Sequence, residues 1–114
     1  MSPIERDAAY LWDMREAARE TVELTAGLSE GEFLENRTLR RATERTVEII
    51  GEAARRVSSE FREAHPEIPW RNIVGLRNIL AHEYGRIDHD ALFRTARNDI
   101  PALITLLDSL IGGL

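Results

Sequence analysis

Residues 36–61 read NRTLRRATERTVEIIGEAARRVSSEF. Asn36 is a strong helix N-cap, and Leu39, Ala42, Thr46, Ile50, Ala53, Val57 and Phe61 follow in steps of three or four. A strand would alternate its apolar residues, whereas this stripe belongs to a helix with one buried face. Proline disfavours helical backbone in the residue before it, so the His65-Pro66 step stops the run. The spacing predicts one long helix from Asn36 to that step.

The flanks read the same way. Toward the N-terminus, Ser2-Pro3-Ile4-Glu5 is a capping box with proline in the first helical position. Ile4, Ala8, Leu11, Met14, Ala18 and Val22 follow it, and Gly27 ends that helix. Ser29-Glu30-Gly31-Glu32 is a second capping signature and opens a short helix through Phe33 and Leu34. Toward the C-terminus, Glu67-Ile68-Pro69 is an extended connector. Pro69 starts a fourth helix with Trp70, Ile73, Val74, Arg77 and Leu80 on roughly one side, and Gly85 marks its end. Asp88 or Asp90 caps a last helix carrying Leu92, Ala96, Ile100, Leu103, Leu107 and Leu110. Pro101 should kink or divide it, and Gly112-Gly113 closes it. No repeat, linker or strand pattern interrupts this order. The expectation is a single domain over residues 1–114, all-α, folded as an antiparallel four- to five-helix bundle.

Composition narrows the chemistry. The chain has 114 residues, 15 basic and 20 acidic, for a net charge of −5. All of the basic residues are arginine, and there is neither lysine nor cysteine. Genome composition is the simpler cause of that bias, but its consequence is chemical. Schiff-base lysines, P-loop lysines, cysteine nucleophiles, disulfides and thiolate metal sites are excluded, and every fixed positive charge is a guanidinium. No apolar run approaches the roughly 18 residues that span a bilayer. The charged N-terminus has no apolar signal core, which predicts a cytoplasmic protein. Acidic residues crowd the first third, so nucleic acid would have to bind in a local cleft away from it.

The densest polar cluster in an apolar helix is Arg77-Asn78-Ile79-Leu80-Ala81-His82-Glu83-Tyr84. Arg77 and His82 stand about 140° apart on an ideal helix. They converge only if the helix frays toward Gly85 or if two copies meet in a dimer. Each residue also has a plain structural reading: a surface ion pair for Arg77, a helix-end cation for His82, a half-buried ring for Tyr84. Periodicity does not choose between these.

The stretch IPWRNIVGLRNILAHEYGRID, residues 68–88, resembles the signature of the HepT-like branch of the HEPN superfamily, small helical-bundle ribonuclease toxins with an R-x4-H-x-Y motif. Arg77, His82 and Tyr84 match the motif positions, and Asn78 matches the polar residue after the arginine. The similarity continues upstream through IIGEAARRV, residues 49–57, and covers most of the chain. It implies a toxin of a type VII-like HEPN/MNT toxin–antitoxin pair. The activity implied is metal-independent endoribonuclease cleavage by a homodimer, without a cofactor. Arg77 and His82 would be catalytic, and Asn78 would bind or orient RNA. It further implies an MntA-like minimal nucleotidyltransferase antitoxin as partner, transferring AMP to Tyr84. The alternative is a non-catalytic helical adaptor, or an accessory domain docking a nucleotidyltransferase.

Other candidates are read more plainly. His65 is a helix-end residue. Adjacent Asp88, His89 and Asp90 cannot all face one metal ion on a helix and read as a cap. Arg37, Arg40, Arg41 and Arg45 form a helix face balanced by Glu44 and Glu48, with RNA backbone tracking as the second reading. Trp12 and Trp70 are expected in the core or a dimer interface, with base stacking open to Trp70. Gly51 costs helix stability, which suggests a close helix approach, and Glu52 beside it is expected to contact the motif.

Overall fold

The computed structural model describes residues 2–114, with Tyr84 described through its backbone only. The helices are α1 (Pro3–Thr25), α2 (Glu30–Glu35), α3 (Arg37–Arg56), α4 (Ser59–Ala64), α5 (Trp70–His82), α6 (His89–Arg94) and α7 (Ile100–Gly112). No strand occurs among the described residues. The all-α expectation holds.

Local chemistry sets the helix starts. Ser2 Oγ accepts from the Glu5 amide while the Glu5 carboxylate accepts from the Ser2 amide, and Ser29 and Glu32 repeat this reciprocal pair. The Ser29 amide and hydroxyl hold the Glu32 carboxyl below its ordinary range. Asn36 Oδ1 accepts from the Leu39 amide and Asp88 Oδ1 from the Ala91 amide, each at 3.0 Å. Gly27, at φ +74°, provides the left-handed turn after α1.

Two boundaries differ from the sequence reading. The long helix ends at Arg56 rather than running to His65. Val57 is extended, and Ser58 caps the separate α4 through a bond from the Phe61 amide (3.1 Å). The cause is remote: buried Asp7 on α1 accepts from both the Ser58 amide (2.8 Å) and hydroxyl (2.6 Å), drawing that residue out of the helix. The second difference precedes Pro101, where Thr95–Asp99 forms a π-helical turn joining α6 to α7. The Ile100 amide reaches back five residues to Thr95, which accommodates a proline that cannot donate.

The long helices pack in the order α7, α1, α3, α5. Leu11, Met14, Ala18, Ile50, Ala54, Val57, Ile68 and Leu107 are all 1% exposed or less and fill the main core. Each large aliphatic side chain so buried contributes about 1.5–3 kcal/mol. A second cluster joins Phe33, Val47, Leu80, Leu92 and Phe93, with the Phe33 and Phe93 rings 5.1 Å apart. Ile4, expected on the buried stripe, is instead 70% exposed. Arg97 Nη1 donates to the Thr25 and Leu28 carbonyls and ties off the end of α1. Among the described residues no helix is long and apolar enough to cross a membrane.

Candidate active site

Helix α5 carries Arg77, Asn78 and His82, with Tyr84 just beyond its end, and presents three distinct sides. Trp70, Leu80 and the stem of Arg77 face inward. Trp70 is buried and its indole N–H donates to the His65 carbonyl (3.0 Å), so its polar atom is satisfied within the protein. Asn72, Ile73 and Leu76 turn toward α7 across an apolar cavity of about 370 Å³ floored by Val47 and Ile50. Arg71, Val74, Gly75 and Asn78 recur at i, i+3, i+4 and i+7 and face a wider groove beside α4.

The approach expected at Gly51 is present and is extreme. A Cβ built there would stand 2.2 Å from Arg77 Cβ, 2.8 Å from Arg77 Cγ and 3.0 Å from the Ile73 carbonyl. Only glycine lets α3 and α5 come this close, and the contact presses on the root of Arg77. The Arg77 stem is thus trapped against α3. Its Nε is shut off from solvent with no acceptor among the described residues, and Nη1 donates to Asn78 Oδ1 (3.1 Å). A guanidinium in this position is held in place and retains unused donors, which suits it to an incoming oxyanion.

His82 is the last residue of α5 and is exposed. The Glu83 amide closes the helix on Ile79 (2.9 Å), and Tyr84–Arg86 forms a single 3₁₀ turn. The side chain of Tyr84 lies outside the described residues. Within one chain α5 remains helical to His82, so no fraying brings the His82 ring round to Arg77.

Other expected residues fall elsewhere. Arg45 pairs with Glu48 (3.4 Å) and Glu52 (3.3 Å), so Glu52 is turned to its own helix face rather than to the motif. Arg40 donates to the Leu34 carbonyl, while Arg37 and Arg41 are exposed. Glu44, expected to balance that basic face, is instead buried, with Oε2 3.0 Å from His89 Nε2. These two residues are 45 positions apart, and no periodicity in either helix signals the pair. His65 caps α4, stacks on Phe61 at 4.3 Å and contacts Glu67 (3.2 Å). Trp12 is half exposed rather than core. Among the described residues no three His, Asp or Glu side chains converge on a possible metal site.

The sequence model of the family described as "Ribonuclease HepT-like" matches residues 14–110, which includes α3, α5 and the whole motif segment. The chain belongs to the HepT-like ribonuclease family. Among curated relatives, "Putative RNase MJ1380" of Methanocaldococcus jannaschii is 42% identical over 95 residues, covering 83% of this chain and 87% of that protein. "Probable ribonuclease HepT" of Thermococcus cleftensis is 38% identical over 94 residues, covering 82% and 86% respectively. No solved structure matches the chain significantly. For a HepT-like protein, the bundle is a scaffold whose packing fixes one arginine and leaves one imidazole in solvent.

Proposed function

We propose that this single-domain HepT-like protein is an endoribonuclease toxin that cleaves RNA without a metal, acting as a homodimer. The observation that carries this is the trapped guanidinium of Arg77, with unused donors, on the same helix as an exposed imidazole. RNA supplies its own nucleophile. The 2′-oxygen attacks phosphorus, the bond to the 5′-oxygen breaks, and a 2′,3′-cyclic phosphate forms. One proton leaves the 2′-hydroxyl and one must reach the departing 5′-oxygen, tasks suited to an imidazole, whose ring nitrogens can both accept and donate a proton. Charge on the phosphorane oxygens is met by Arg77, held by Gly51, with Asn78 orienting both guanidinium and phosphate. One chain offers one motif histidine. A two-fold dimer offers a second and places the Arg77 of one protomer near the His82 of its partner, which the 140° separation forbids within a single helix.

The reading extends to control by a nucleotidyltransferase antitoxin. The Tyr84 hydroxyl oxygen would attack the α-phosphorus of ATP on that enzyme, with pyrophosphate leaving and AMP retained. The added anion, two residues beyond His82, would compete for Arg77 and obstruct the cleft.

Purified protein incubated with RNA in EDTA tests the core of this. Cyclic-phosphate ends that depend on Arg77 and His82 support it, and cleavage unchanged in His82→Ala sinks it. Co-expression with a neighbouring nucleotidyltransferase should add about 329 Da, or multiples of it, at Tyr84. An unmodified mass in a neutralised complex would replace AMP transfer with simple complex formation.

A further inference from the structure

One side of α5 faces an open groove beside α4. Arg71, Gly75, Asn78 and His82 lie on one stripe, His82 falling within about 20° of Gly75 and seven residues beyond it. Across from this stripe α4 presents Arg62 and Glu63, and the two helices enclose a groove of about 600 Å³ whose wall is completed by Trp70. A Cβ added at Gly75 would meet nothing within 4 Å, so the groove floor there is bare helix backbone.

Two guanidiniums line this groove together with Asn78. Arg15, Arg19, Arg45, Arg86 and Arg94 each meet a carboxylate, and Arg40 and Arg97 meet backbone carbonyls. Arg62 and Arg71 make no such contact among the described residues, a condition they share with Arg6, Arg37, Arg41, Arg55 and Arg56, but these two line the same groove as Asn78, and Arg62 Nε is buried without an acceptor. Among the described residues Glu63 is the one carboxylate lining the groove against these two guanidiniums. In a chain of net charge −5 this groove carries a local excess of one positive charge among its lining residues. It is continuous with the motif, because Asn78 both lines the groove and accepts from Arg77.

We propose that the α4–α5 groove is a phosphodiester subsite, in which Arg62 and Arg71 bind the RNA backbone beside the scissile phosphate. The stripe from Arg71 to His82 is about 16 Å long at 1.5 Å per residue. A polyanion laid along it contacts Arg71 at one end, passes over Gly75, where no side chain intervenes, and reaches Asn78 and His82 at the other. Guanidiniums on phosphates position a strand without reading bases, so the groove sets affinity and register rather than sequence preference. The subsite rests on the ribonuclease reading of Arg77 and His82, but its test does not need cleavage.

The probe is a short 2′-O-methyl oligoribonucleotide of mixed sequence, which lacks the attacking hydroxyl, bound to the full chain across a salt series. Arg62→Gln and Arg71→Gln should each weaken binding about 3–10-fold and lower the slope of log Kd against log salt by about one. Arg71→Lys should keep the slope. Gly75→Leu fills the groove floor with a better helix former, so affinity should fall while Tm does not. With unlabelled substrate RNA, Arg71→Gln should raise KM and leave kcat in place. Unchanged affinity and salt slope in both Gln variants, or no binding by the wild type, overturns the subsite. Cleavage insensitive to His82→Ala would overturn the ribonuclease reading alone, and binding that still depends on Arg62 and Arg71 would then stand.

Discussion

Gly51 on α3 and Arg77 on α5 are in contact so close that the hydrogen of Gly51 occupies the one space where a methyl group cannot fit; a Cβ there would lie 2.2 Å from Arg77 Cβ. The helix that carries Arg77 and His82 is positioned by the residue that its arginine touches, so the contact links packing to the proposed chemistry.

Gly51→Ala sets two effects against each other. Alanine in place of a mid-helix glycine favours α3 by about 1 kcal/mol. The clash forces α3 and α5 apart, an overpacking cost of about 1–3 kcal/mol. Net destabilisation is expected in urea denaturation, together with loss of RNA cleavage because Arg77 moves. Arg77→Ala keeps its Cβ and should not relieve the clash, whereas Arg77→Gly should. Full activity in Gly51→Ala would show that this contact does not position Arg77.

At His82 stability and the proposed catalysis should separate. The residue is exposed at the end of α5 and its side chain makes no hydrogen bond among the described residues, so His82→Ala should leave the stability from urea denaturation within ±0.5 kcal/mol of wild type. Cleavage should fall about 10²–10⁴-fold, the usual contribution of a general acid or base. Growth arrest on expression should vanish with it, and a variant that still arrests growth would favour the adaptor reading.

The bond from Asp7 to Ser58 holds the break between α3 and α4. Asp7→Ala removes a buried carboxylate that accepts from both the amide and the hydroxyl of Ser58. A cost of about 2–3 kcal/mol is expected, because the Ser58 amide is left without its charged acceptor. Asp7→Asn keeps an acceptor and should cost less. Equal costs would mean that the packing of the side chain matters and its hydrogen bonds do not.

The α1–α3 interface contains a polar pair, Thr21 Oγ1 and Thr46 Oγ1, buried at 2.8 Å. Thr21 is also 2.8 Å from the Ala17 carbonyl and Thr46 3.1 Å from the Thr43 carbonyl. Two hydroxyls have two protons for three bonds, so one backbone bond yields whenever the threonines bond each other. Either Thr→Val change alone should cost about 1 kcal/mol. The double change should cost clearly less than the sum, as a double-mutant cycle would measure.

Much of the fold is legible in the chain because caps and helical stripes are local. Ser2 and Glu5, Ser29 and Glu32, Asn36 and Asp88 act within four residues of themselves, and their helices begin where the sequence places them. The same locality explains the failures. Nothing between Val57 and Phe61 disfavours helix strongly enough to foretell the break at Ser58, because its partner Asp7 is 51 residues away. Glu44 looks like a surface residue until His89, 45 positions on, folds over it. Gly51 was readable as a close approach, but not that Arg77 was its neighbour.

The order of residues by itself determined that the chain is helical, where α1, α2, α3 and α6 start, that no lysine or cysteine chemistry is open to it, and which family the motif segment resembles. Packing alone decided that Arg77 is gripped at its root, that Glu52 turns away from it to Arg45, and that the Arg71–His82 stripe of α5 is left open beside α4. Helix propensity and capping are interactions between near neighbours. The grip, the turned carboxylate and the open groove depend on which helices meet, and that is settled by burying all the apolar stripes at once.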